Sequence, residues 1–229
     1  MKKRNRGKGG FGVFPLFLSI ISNPAVRLDI ALLSGLLMNI FYIAVNLLPA
    51  VRYKSAWSFA VTVYYSVLVL MRLSLLASHR LIGSVGDDAA RLYTACRRVG
   101  KFLLLLDTAI AIIMIYTVIE GRVIDYPTYI LVGFGVFTVY SLASSVIGIF
   151  RSLRQKTPHV LAARNLTLAA ALLSVFNLQY TLLVTIGVKR ELLILINAVG
   201  GALIILLITG MAIRLITVSS RRIREIRSS

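Results

Sequence analysis

The chain has 229 residues, 58% of them hydrophobic and only 15% charged, with 26 Lys and Arg against 8 Asp and Glu for a net charge of +18. A soluble domain is roughly 45–50% apolar and about 25% charged, so an ordinary water-soluble domain and a disordered chain are both excluded. Cys96 is the sole cysteine, which excludes a disulfide scaffold.

The apolar residues lie in six blocks of about 19–27 residues, each long enough to cross a hydrocarbon core of ~30 Å. The expected fold class is all-α, a bundle of six transmembrane helices. Residues 1–27 read as a basic cytoplasmic tail with an interfacial apolar segment, 28–216 as the membrane domain and 217–229 as a second basic tail. Phe11 to Ile21 is too short to cross and lacks a clean cleavage site, so it reads as an interfacial stretch held on anionic lipid by Lys2, Lys3, Arg4, Arg6 and Lys8.

The spans are expected near 28–49, 56–78, 101–119, 127–150, 160–186 and 191–216. Asn23-Pro24 reads as a helix start ahead of the first span, and Pro49 as its end. Between the second and third spans, Gly83, Gly86 and Asp87-Asp88 mark a turn and a helix start. From Ala89 on, Leu92, Ala95, Cys96 and Val99 recur at helical spacing, so the cytoplasmic loop 79–100 reads as carrying a short amphipathic helix that can run straight into the third span and that lies on the membrane surface or docks a partner. Tyr126-Pro127 opens the fourth span and Thr157-Pro158 the fifth.

Twenty of the basic residues fall on the side of the two termini and five on the other, with Arg72 inside a span. The positive-inside rule then puts both termini in the cytoplasm. This placement of charge at span edges, without aromatic interleaving on a soluble face, argues against nucleic acid. Trp57, Tyr53, Tyr126 and Tyr129 read as an aromatic belt at the outer interface.

In lipid, helices associate through small and polar residues. Gly35, Asn39, Tyr42 and Asn46 share one face of the first span. Ser58, Thr62, Tyr65 and Arg72 share one face of the second, and Thr167, Ala170, Ser174, Asn177 and Thr181 one face of the fifth. The fourth carries Ser141, Ser144, Ser145 and Gly148; the sixth carries Asn197, Gly200 and Gly201. These stripes read either as helix–helix glue or as a polar path. Gly35…Tyr42 and Gly133…Tyr140 share a spacing that an inverted repeat would produce.

Arg72 and Asp107 each lie about 9 Å inside the cytoplasmic boundary, by ~1.5 Å of rise per residue. An intramembrane charge costs at least ~2.5–3.5 kcal/mol, which invites a partner. The two are expected to pair across the second and third helices; the other readings are that Arg72 snorkels to the headgroups or faces a substrate. Asp29 and Arg214, nearer the interface, read as structural. His79 and His159 are the only histidines, and no catalytic, metal or phosphate-loop motif is present. No enzyme activity, cofactor or metal is expected, and Cys96 beside Arg97 and Arg98 reads as packing.

Tyr53-Lys-Ser-Ala-Trp57 running into Tyr64-Tyr65 and Met71-Arg72 is one distinctive stretch. Tyr126-Pro127 through Tyr140, Thr157-Pro158, Ala162-Ala-Arg-Asn165 and Ser174 to Gln179 form another. Together they resemble a family of uncharacterised six-span integral membrane proteins of Gram-positive gut bacteria, over about half the chain. The resemblance implies a bacterial plasma (cytoplasmic) membrane location and brings no activity. It also implies that Asp107 stands where such proteins often carry Asn.

Two functions remain from the sequence. One is a small-solute or ion transporter or channel, which calls for an aqueous cavity reaching Asn39, Tyr65, Arg72 or Asp107. The other is a non-catalytic membrane subunit or scaffold that docks a protein partner, or a second copy, through its basic face. It calls for a closed bundle with an exposed small-residue face.

Overall fold

A computed structural model describes residues 24–82, 88–120, 128–152 and 158–228. It contains α1 (Pro24–Arg52), α2 (Ala56–Ile82), α3 (Asp88–Glu120), α4 (Thr128–Ser152), α5 (Pro158–Thr185) and α6 (Arg190–Ser228). All six are long and apolar enough to cross a membrane, and the chain is a multi-pass membrane protein. The segment Phe11 to Ile21, the basic residues before it, Gly83, Gly86, Asp87, Tyr126, Pro127 and Thr157 lie outside the described residues, as do the side chains of Asp29, His79, Tyr129 and His159.

Local chemistry sets the described ends. Ser55 caps α2, its Oγ accepting the Ser58 amide at 3.1 Å, which satisfies one of the free N–H groups of the first turn. Gly187, at φ 72°, ends α5: its amide donates to the Val184 carbonyl at 3.0 Å and the Val188 amide to Leu183 at 3.2 Å. This is the Schellman arrangement, whose left-handed position suits glycine. Pro49 does not end the first helix, which continues to Arg52; so near the C-terminus its missing N–H removes a single bond.

Among the described residues, α5 alone packs against all five other helices. Its sequence explains why. Ala162, Ala163, Ala169 and Ala171 are fully or almost fully buried, and side chains this small let neighbours approach on several sides. Helix α4 packs its backbone only against α5 and is the most lipid-exposed, 22% of its apolar window being buried against 50% for α5.

The longest contact is an antiparallel one between α3 and α6. Helix α6 buries Leu193, Asn197, Gly201, Ile204, Ile208, Ala212, Leu215, Ser219 and Ile223, in repeating steps of four, four and three. Helix α3 buries Cys96, Val99, Leu103, Asp107, Ile110 and Met114 on the same rhythm. An eleven-residue period gives ~3.67 residues per turn, close to an unstrained helix, so the two stay in register along their length. Gly100 marks a close approach: a Cβ there would stand 2.8 Å from Ile216 Cγ1 and 3.2 Å from the Ala212 carbonyl.

Residues 88–100 are the first turns of α3, so the amphipathic helix runs straight into the third span. Residues 217–228, expected as a basic tail, are helical and continuous with α6, 39 residues long. The apolar face of Ala95, Cys96 and Val99 is covered by α6, so the Cys96 thiol is buried packing. The shared spacing of Gly35…Tyr42 and Gly133…Tyr140 does not bring shared surroundings. Tyr42 is buried and Gly35 lies against Arg72, whereas the space that a Cβ on Gly133 would enter is open and Tyr140 is 55% exposed.

Gly100→Val is expected to lower the thermal unfolding midpoint in detergent by several degrees, since a branched side chain meets α6. Gly133→Ala should leave it unchanged or slightly raised, because Ala is favoured over Gly in a helix by ~0.5–1 kcal/mol. Equal responses at the two sites would contradict the seam.

Candidate functional site: the polar interior

The polar stripes converge on α5. Tyr65 donates its hydroxyl to the Ala170 carbonyl at 2.8 Å. Trp57 Nε1 donates to Asn177 Oδ1 at 2.8 Å, and Arg72 Nη2 to Thr167 Oγ1 at 3.0 Å. All three donors come from α2. From α4, Thr138 donates to the Ser174 carbonyl at 3.3 Å, and the Ser145 hydroxyl, which donates to the Ser141 carbonyl at 2.7 Å, also lies 3.3 Å from the Thr167 carbonyl. Tyr42 of α1 joins through Thr138, 3.3 Å away. Gln179 of α5 reaches the Ile196 carbonyl of α6 at 3.2 Å, its amide filling the space that a Cβ on Gly200 would take.

Asn39, Tyr42, Asn46, Thr62, Tyr65, Ser174, Asn177 and Asn197 are all buried. Several bond within their own helix: Asn46 Nδ2 to the Tyr42 carbonyl at 2.9 Å, Thr62 to Ser58 at 2.8 Å, Thr181 to Asn177 at 2.6 Å. Such bonds keep polar atoms satisfied where no water competes. Ser144 and Gly133 on α4, and Ala198, Ala202 and Gly210 on α6, face outward instead.

Trp57 is not part of an interfacial belt. It is 3% exposed, packed 5.3 Å from Phe176 and 6.1 Å from Tyr180 between ring centroids. The signal was present, since Trp57 precedes Val61, Tyr64, Leu68, Arg72 and Leu75 on one buried stripe of α2. Tyr53, by contrast, is exposed.

Arg72 and Asp107 do not pair. Both are buried, yet they look in different directions. Arg72 shares its face of α2 with Tyr65 and turns toward α1 and α5, its guanidinium pressed on Gly35 so closely that a Cβ there would overlap it. Asp107 turns from α3 toward α6, where Thr209 donates to its Oδ2 at 2.6 Å. Equal depth fixed their height and not their azimuth. Nor does Arg72 snorkel, since at 2% exposure it stays inside. Among the described residues, Arg72 Nε and Nη1, Asp107 Oδ1, Tyr64 OH and Asn39 Nδ2 have no hydrogen-bond partner. Sequence reasoning missed Tyr64, Thr138, Gln179 and Thr209, isolated polar residues outside the stripes it followed.

Asn39, Tyr65, Arg72 and Asp107 are 1–3% exposed, so the positions an aqueous path has to reach are closed. Among the described residues no three of His, Cys, Asp and Glu gather to hold a metal. Compared with protein-family models and with curated proteins, the chain matches none.

A double-mutant cycle of Arg72→Gln and Asp107→Asn is expected to give a coupling below about 0.5 kcal/mol, as for separate sites. Thr209→Val, which strips Asp107 of its hydrogen bond, should cost about 1–3 kcal/mol. Unfolding of the detergent-solubilised variants measures both; a coupling of several kcal/mol would restore the ion pair.

Proposed function

We propose that the chain is a non-catalytic membrane subunit or scaffold of a bacterial plasma membrane that docks an acidic protein partner through a basic two-helix stem. The observation that carries this reading is the overlength of α3 and α6, 33 and 39 residues against 25–29 for the other four helices. About 20 residues cross the hydrocarbon. Residues 88–100 and 213–228 therefore project roughly 20 Å beyond it, at ~1.5 Å per residue.

The stem's seam is internal and its outside is cationic. Arg91, Arg98, Lys101, Arg214, Arg221, Arg222, Arg224 and Arg227 are exposed and Arg97 partly so. Glu225 is held by Arg221 and Arg222 at 3.3 and 2.9 Å, leaving most of the charge uncompensated. The positive-inside rule favours the cytoplasm for this end and for both termini. Anionic lipid reaches the stem's base, at Lys101 and Arg214. Arg224 and Arg227 lie ten and thirteen residues further, ~15–20 Å, beyond the ~8 Å screening length at physiological salt. A protein surface fits that distance better than headgroups. The closed interior also favours a subunit over an open channel.

Charge reversal tests this. Arg221, Arg222, Arg224 and Arg227 are changed together to Glu, and the full chain is purified gently from native-level expression. The unchanged protein is expected to bring down a stoichiometric acidic protein, insensitive to RNase and released by high salt; the variant, equally abundant in the membrane, loses it. Unchanged recovery in the variant, or recovery of RNA-dependent material only, overturns the reading.

A further inference from the structure

Arg72 carries a permanent positive charge into the bundle at a depth where a lone charge is expensive. One of its donors meets the neutral Thr167 hydroxyl, which itself donates to the Ala163 carbonyl at 3.0 Å. Two more, Nε and Nη1, are buried without an acceptor. Asp107 is committed to Thr209 on the far side of α2. The guanidinium lies on Gly35, in space that a side chain there would take. Asn39 stands one turn along the same buried face of α1, about 5–6 Å away by helix geometry, and its Nδ2 is a second buried donor without an acceptor. Donors thus accumulate here, and among the described residues no carboxylate is paired with Arg72 to balance the charge.

We propose that a small inorganic anion of the halide class binds beside Arg72 between α1, α2 and α5, with Asn39 Nδ2 as a further donor. This goes beyond docking at the stem and does not depend on it. A water molecule supplies an acceptor but not the charge. The near-complete burial of Arg72 and Asn39, at 2% and 3% exposure, favours a monatomic ion over a phosphate or a lipid headgroup. An anion there joins three helices and balances the charge of Arg72.

The test is thermal unfolding of the full chain in detergent, followed by the fluorescence of Trp57, the single tryptophan, which sits in the core. Sodium bromide or chloride replaces sodium gluconate at constant ionic strength. The midpoint is expected to rise by a few degrees and saturate. Asn39→Asp, which fixes a carboxylate beside the guanidinium, should make the midpoint independent of halide. A wild-type midpoint that ignores halide overturns the proposal, as does an equal rise in both proteins, the mark of a bulk salt effect. Should Asn39→Asp not accumulate, wild-type crystals grown in bromide decide. An anomalous peak within hydrogen-bond distance of Arg72 supports the site, and its absence overturns it.

Discussion

In hydrocarbon a polar side chain has no water to turn to, so each one commits its helix to a neighbour. In this chain the neighbour is mainly α5. Its buried alanines let the other helices come close, and its carbonyls and hydroxyls receive Arg72, Tyr65, Trp57, Thr138 and Ser145. The stripes of α1, α2 and α4 are therefore spent on assembly. The same hydrogen bonds account for the closed interior, for the burial of Trp57 and for the inward turn of Arg72.

Helix α3 stands apart from that arrangement. Among the described residues its bond to α6 through Asp107 and Thr209 is a polar contact in a largely apolar seam. The seam runs past the expected edge of the bilayer, where apolar burial regains its usual driving force from water. Cys96, Val99, Leu215, Ser219 and Ile223 keep the two helices together there. Their exposed flanks can then hold arginines well away from lipid. The proposed docking role thus depends on the length of the seam.

Much of this was legible in the sequence because hydrocarbon thickness and helix rise are fixed quantities. The six spans follow from them, and the inward stripes from the helical period; the Asn23-Pro24 start lies at the edge of the described residues. The stem followed only in part: the helical spacing of Leu92, Ala95, Cys96 and Val99 leads into α3, but a rule that cuts helices to bilayer thickness stops α6 near Ile216, although the eleven-residue rhythm continues to Ile223. For Arg72 and Asp107 the rise gave height, while the direction each faces depends on which helices flank α2 and α3. Trp57 was assigned from its position at a span end, when its place on the buried stripe decided the matter.

Water access to the interior is the most direct test of the view that its polar residues are spent on packing. In a Cys96→Ala background, Asn39→Cys, Tyr65→Cys and Asp107→Cys would be treated with a membrane-impermeant maleimide in right-side-out and inverted vesicles. Arg224→Cys serves as the exposed reference. The account expects Arg224→Cys to react in inverted vesicles and the other three to stay unreacted from either side until the protein is denatured. Labelling of the interior positions at a rate near that of the reference would contradict it and show an aqueous path through the bundle.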